Sequence, residues 1–205
     1  MRPLLLANFS SPAALARCFL TALIGLLLDL WTKAYAFKTL AIDLGNGYVD
    51  SRISQFIPGW IHFQLVRNSG AVFGLGQGQR VLFLAVSVLA LLFLSYLFAT
   101  SGHHRLYQFI LGMLLAGVLG NMYDRIEFGF VRDMIRALPG WRWPGTWSLP
   151  IINYPGSARE VFPWIFNVAD ILLCTGVGLI VLHYLLHPTH HHSAEDHAHP
   201  ATQQP

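Results

Sequence analysis

Apolar positions along the chain gather into four long blocks, with most of the polar positions in the gaps between them. The first block, Leu15 to Phe37, carries Asp29 and Lys33 inside it. The second, Val81 to Thr100, holds no charged residue. The third runs from Tyr107 to Tyr123. The fourth runs from Ile165 to Leu186, with Asp170 near its start. A helix needs roughly 20 residues to cross about 30 Å of hydrocarbon, and each block is near that length. Four membrane-spanning helices are therefore predicted, with both termini on one side. The short stretch "SGHHRL", Ser101 to Leu106, reads as the turn of a helical hairpin.

The gaps differ in character. In the first connection, Lys38 to Arg80, "IHFQLVRN" alternates apolar Ile61, Phe63 and Leu65 with His62 and Gln64, which is strand periodicity. "NSGAVFGLGQG" follows, with four glycines that suit a tight turn and close backbone approach. A small β-element at the membrane surface is expected after the first span. The second connection, Arg132 to Trp164, holds Trp141, Trp143, Trp147 and Trp164 among prolines and reads as an irregular segment resting on the bilayer. The predicted class is an all-α membrane protein of four transmembrane helices with that small extramembrane β-element. Residues 1–14 form an N-terminal segment and 15–187 one four-span domain. Residues 188–205 form a polar, His-rich tail expected to be disordered, with solvated histidines and not metal ligands.

Composition supports a membrane class. Of 205 residues, 54% are hydrophobic and 11% charged, against about 25% charged in soluble domains. The formal charge of +3 is scattered, and no basic run points to nucleic acid. Cys18 and Cys174 lie in apolar blocks and read as buried packing residues. The first block is too long for a secretory signal peptide and lacks a small-residue cleavage site. Arg17, immediately before Cys18, argues against a lipoprotein processing site there. Counting Lys and Arg alone would put the two long connections in the cytoplasm.

A few polar residues in this setting need a reason, because a charge inside a span costs several kcal/mol unless paired or hydrated. Asp29 and Lys33 are four apart and can pair on one helix face, either merely neutralising each other near the interface or supporting a nearby site. Gly112, Ala116 and Gly120 recur at four-residue intervals, a spacing that lets helices approach closely. Asn121 and Arg125 continue that stripe. Asp124, beside Arg125, could be ion-paired with it, and reads either as an interfacial end cap or as having a direct role. Glu127 and Arg132 are expected to face solvent, and Gly129 to permit a bend. Asp133 then follows the third span, and Asp170 lies about one turn into the fourth, with Asn167 on the same face. Two carboxylates sharing a site cannot comfortably both ionise. One can activate water while the other donates to a carbonyl oxygen, which is acid–base chemistry for amide hydrolysis. The same spacing also suits a proton relay.

"DLWTK" (Asp29 to Lys33), "NSGAVFG" (Asn68 to Gly74), "GNMYDRIEFGFVRD" (Gly120 to Asp133) and "FNVAD" (Phe166 to Asp170) occur in that order. Together with four spans they resemble the lipoprotein signal peptidases, the type II signal peptidases of bacteria. The resemblance implies a multi-pass aspartyl endopeptidase of the bacterial inner membrane. Such an enzyme removes signal peptides from prolipoproteins, cutting before a diacylglyceryl-modified cysteine near the extracytoplasmic face. It implies Asp133 and Asp170 as the catalytic pair. Asn68, Gly70, Asn121, Arg125, Asn167 and Ala169 would line or shape the site. Asp29 and Lys33 would support it, and Asp124 would serve structure. It implies cytoplasmic termini, against the charge count, so that connections 38–80 and 132–164 are extracytoplasmic. Its partners would be prolipoprotein signal peptides and membrane lipid, with no nucleic acid, cofactor or metal, and a monomer is expected. Leu30 and Met134 depart from the family's common glutamine and phenylalanine, and the segment from Arg136 to Phe162 is unusually long. The competing readings are a small proton-coupled transporter using Asp29, Asp124, Asp133 and Asp170, and a scaffold that binds lipoproteins.

Overall fold

The computed structural model describes residues 11–43, 49–70, 76–100, 104–144 and 159–186. Within them four helices are long and apolar enough to cross a membrane: α1 (Pro12–Leu40), α2 (Arg80–Thr100), α3 (Arg105–Glu127) and α4 (Val168–Leu186). Leu23, Ile24 and Leu27 of α1, Leu89 and Phe93 of α2, and Val181 and Leu185 of α4 point outward and are exposed. Such faces suit hydrocarbon, and the chain is a multi-pass membrane protein.

Local chemistry sets the helix ends. Ser11 caps α1, its Oγ accepting the Ala14 N–H at 3.3 Å, and Pro12 occupies the first helical position. α3 runs on to Glu127, so Asp124 and Arg125 lie inside it. It stops where Gly129 adopts a left-handed φ of 79°. Arg80 Nη2 donates to the freed Ile126 carbonyl at 2.6 Å, tying the start of α2 to the end of α3. α4 begins at Val168, three residues later than the apolar block predicted, because Ile165–Phe166 is strand.

α3 is the central helix, packed by α1, α2 and α4. The small-residue stripe makes this possible. A Cβ on Gly112 would lie 2.5 Å from the Cys18 carbonyl oxygen, and one on Gly25 would lie 2.8 Å from Ala116 Cβ. On another face of α3, a Cβ on Gly117 would lie 2.7 Å from the Ala169 carbonyl oxygen of α4. Far from the sheet, Ala14, Cys18, Phe98, Ile110, Leu111 and Leu114 form an apolar core. Cys18 is buried as expected, but Cys174 is exposed on the outer face of α4.

The extramembrane part is larger than predicted, and the class is mostly helical with a sheet instead of all-α. β1 (Ala41–Asp43) pairs with β2 (Val49–Ser51). Strands β3 (Ser54–Ile57), β4 (Ile61–Asn68), β5 (Val131–Ala137) and β6 (Ile165–Phe166) form an antiparallel sheet in chain order. β4 is the predicted strand. β5 and β6 come from the second connection, which was expected to be irregular. That connection is further shaped by pairing of Arg142 with Glu160, and Arg136 Nη2 donates to both Glu160 carboxylate oxygens, at 2.8 and 2.9 Å. Most of "GAVFG", the hairpin turn's first residues and the tail lie outside the described residues. A second apolar cluster, Ala36, Leu65 and Met134, joins the sheet to α1, so Met134 is a packing residue. α1 and α3 end at the sheet and α2 and α4 begin from it, which puts both long connections at one end of the bundle.

Candidate active site

Two carboxylates meet where the sheet closes that end of the bundle. Asp133 sits on β5 opposite Val66 and is 2% exposed. Asp170 sits in the first turn of α4 and is half-buried. A reciprocal cap explains its place. Asn167 Oδ1 accepts the Asp170 N–H at 3.0 Å, while Asp170 Oδ2 accepts the Asn167 N–H at 3.1 Å. This is a capping box, and a carboxylate at a helix N-terminus also faces the positive end of the dipole.

Asn167 ties the two acids together. Its Nδ2 donates to Asp133 Oδ1 at 2.6 Å and to Asn121 Oδ1 at 3.1 Å. Asn121 Nδ2 donates to Asp170 Oδ1 at 2.8 Å, and Asn68 Nδ2 donates to Asp133 Oδ2 at 3.0 Å. Asn68 Oδ1 also accepts the Gly70 N–H at 3.0 Å. Arg125 donates to the Gly70 carbonyl at 3.1 Å and to the Asn121 carbonyl at 3.3 Å, with its guanidinium 4.8 Å over the Phe83 ring. Burial pushes the Asp133 carboxyl up to about 7, and the charge of Asp170 adds to that. Asn167, Asn68 and Lys33 pull the other way.

Next to this pair lies a buried ionic cluster. Lys33 Nζ reaches Asp29 Oδ2 at 2.7 Å, Asp124 Oδ2 at 3.3 Å and Asn121 Oδ1 at 3.1 Å. Asp29 Oδ1 accepts the Ala169 N–H of α4 at 2.8 Å. Asp29, Lys33 and Asp124 are each 0% exposed. Removing one partner of such a pair leaves a buried charge uncompensated, at a cost of about 3–5 kcal/mol. Asp29 and Lys33 thus pair with each other as their spacing predicts, and Lys33 also reaches Asp124 and Asn121. A Cβ on Gly120 would collide with the Asp29 carboxylate, so the small-residue stripe also makes room for this acid. Asp29, Lys33, Asn68, Gly70, Asn121, Asp124, Arg125, Asp133, Asn167, Ala169 and Asp170 are thus linked by hydrogen bonds and ion pairs into one region.

A family model for signal peptidase II matches residues 21–186. The chain belongs to the signal peptidase II family. The lipoprotein signal peptidase of Symbiobacterium thermophilum is 39% identical over 133 residues, covering 64% of this chain and 75% of its own length. That of Burkholderia thailandensis is 32% identical over 177 residues, covering 84% of this chain and 89% of its own. A solved structure of a bacterial membrane enzyme matches with a TM-score of 0.62 at 27% identity, over 82% of this chain and 86% of that one. Membership makes the chain a peptidase, and the transporter reading finds no support among these relatives.

In this signal peptidase II family member one expectation fails at the site itself. Glu127 is exposed as predicted, but Arg132 is only 8% exposed. Arg132 Nε and Nη2 donate to Asp124 Oδ1 at 3.1 and 2.8 Å, and its backbone N–H donates to Asp124 Oδ2 at 2.9 Å. Asp124 therefore pairs with Lys33 and Arg132, not with its neighbour Arg125. Charge parity was the missed signal. Asp29, Lys33 and Asp124 in apolar surroundings leave one negative charge over, and a second base had to be near. Glu160, buried against Arg136, was likewise missed, since nothing in its neighbourhood marks it as internal.

Proposed function

We propose that this peptidase is an aspartic endopeptidase of the bacterial inner membrane that removes signal peptides from prolipoproteins, with Asp133 and Asp170 as its acid–base pair. It would cut before the diacylglyceryl-modified cysteine, near the extracytoplasmic face, with both termini in the cytoplasm. The observation that carries the reading is the shared partner: Asn167 binds Asp133 through its side-chain amide and Asp170 through its backbone N–H. Burial, with the charge of Asp170 beside it, holds the Asp133 carboxyl well above the usual carboxylate range, so that it can carry the proton the reaction needs.

In the reaction the ionised carboxylate takes a proton from water as its oxygen attacks the scissile carbonyl carbon. The protonated partner gives its proton to the carbonyl oxygen, and a tetrahedral diol results. The diol collapses as one of its hydroxyls returns a proton to the carboxylate now ionised, its C–N bond breaks, and the leaving nitrogen takes the proton of the other acid, which leaves one proton on the pair as at the start. Asn68 and Asn121 hold the carboxylates in place, and Arg125, already anchored on Gly70, stands near the site to meet a substrate carbonyl. The substrate would enter laterally, its lipid chains remaining among the apolar helix faces. The unit that acts is the single domain 15–187, as a monomer.

The test is cleavage of a lipidated precursor peptide by purified protein in detergent. Asp133→Asn and Asp170→Asn should each lower kcat/KM by at least about 1,000-fold with normal expression, because each removes half of the acid–base chemistry. Undiminished cleavage by either variant would sink the assignment.

A further inference from the structure

We infer that Arg132 is a positioning residue for the reaction: by engaging Asp124 it leaves the charge of Lys33 free to act on the Asp133–Asp170 pair, and so sets the pH range in which that pair works. The inference rests on the acid–base pair proposed above.

Arg132 is the residue before Asp133, yet its side chain turns into the bundle. Three of its N–H groups, one from the backbone and two from the guanidinium, end on Asp124. The ring of Phe128 covers it, 4.3 Å from the guanidinium carbon. The cluster then balances, two carboxylates (Asp29, Asp124) against two bases (Lys33, Arg132). The distances are unequal. Lys33 stands 2.7 Å from Asp29 but 3.3 Å from Asp124, which is 2.8 Å from Arg132. The remaining contact of Lys33 is Asn121 Oδ1, and Asn121 passes a hydrogen bond on to Asp170. Asn167 bonds the same Asn121 oxygen and Asp133. The Lys33 ammonium is therefore two hydrogen bonds from Asp170 and three from Asp133.

Without Arg132, two carboxylates would share one ammonium. The cluster would gain a net negative charge beside the pair, and the pair would hold its proton more tightly. The charged groups around the pair are Asp29 and Lys33 from α1, Asp124 and Arg125 from α3 and Arg132 from β5. Arg67 of β4 stands in register with Arg132 and lies over Phe130, while Arg125 is held by Gly70 and Phe83. Arg132 and Lys33 are the cations within ion-pair distance of Asp124 among the described residues.

The test is the pH dependence of kcat/KM for full-length protein in detergent on a lipidated precursor peptide. Arg132→Met should move both limbs of the profile up by about one pH unit, the size expected of one unit charge at close range through a partly screened interior. Asp124→Asn should move them down by a similar amount, and the double variant should return them to the wild-type position. Arg132→Lys keeps the charge but loses the planar fork, so its rate should fall with the limbs unmoved. A residue that only braces the fold would lower the rate in Arg132→Met without shifting either limb, and that result overturns the inference. Should Arg132→Met fail to fold, Asp124→Asn decides, since unmoved limbs in it overturn the inference equally. Cleavage that survives in Asp133→Asn or Asp170→Asn would instead overturn the acid–base pair itself.

Discussion

Asp133 is buried on β5 beside Asp170 and titrates at about 7, whereas the same group in an unfolded chain titrates near 3.8. Between those values the folded protein holds a proton that the unfolded chain has released. Stability contributed at this site is therefore present at low pH, falls as pH rises through that window, and is lost above about 7. Asp133→Asn removes the titration. The variant should melt on the order of 5 °C above the wild type at pH 8, and the gap should shrink or reverse at pH 4, as read by thermal unfolding in detergent. A gap of the same size at both values would show that the buried charge is not what it relieves. At this scale the sequence was informative wherever an ionisable residue stood in an apolar block, because burial there demands a partner. It was uninformative for Arg132, whose strand of four successive buried residues, Val131 to Met134, offers no alternation to say which side faces in.

Among the elements, the seam between α1 and α3 is the tightest constraint. Gly112→Val would press branched methyl groups against the Cys18 carbonyl and Thr21, where even a Cβ would sit at 2.5 and 2.7 Å. A loss of about 1–3 kcal/mol is expected, read as a drop in melting temperature. Gly178 of α4 has nothing within 4 Å of its Cβ position, so Gly178→Ala should leave stability within about 1 kcal/mol of the wild type. Equal effects at the two sites would show that close approach does not govern this packing. The seam was legible because three small residues at one spacing leave a mark on the sequence. β5 was not, since residues buried on both faces lose the period of two that betrayed β4. The start of α4 was misplaced for a related reason. Ile165 and Phe166 are as apolar as the helix they precede, and the Asn167 cap, not a change in hydropathy, divides strand from helix.

Over the whole molecule, among the described residues, one end of a four-helix bundle carries both the sheet and the buried ionic cluster. Reporter fusions within the 101–106 turn and after residue 186 should report the same compartment, and fusions in the two long connections the opposite one. Mixed results would overturn the proposed topology. The site draws on α1, β4, α3, β5 and α4, so its members could be named from sequence motifs but their mutual arrangement could not, because the contacts that join these elements include several that span dozens of residues. The longest of these has a consequence in time. Asp29 Oδ1 receives the Ala169 N–H from 140 residues further along the chain. At the usual ribosomal pace of about 5–20 residues per second, roughly 7–28 s separate the synthesis of the two. Through that interval Asp170 does not yet exist, and until Asn121 and Asp124 are made the carboxylate and ammonium of the first helix have only each other. The proposed acid–base pair is thus complete only with the last helix, on a delay set by translation.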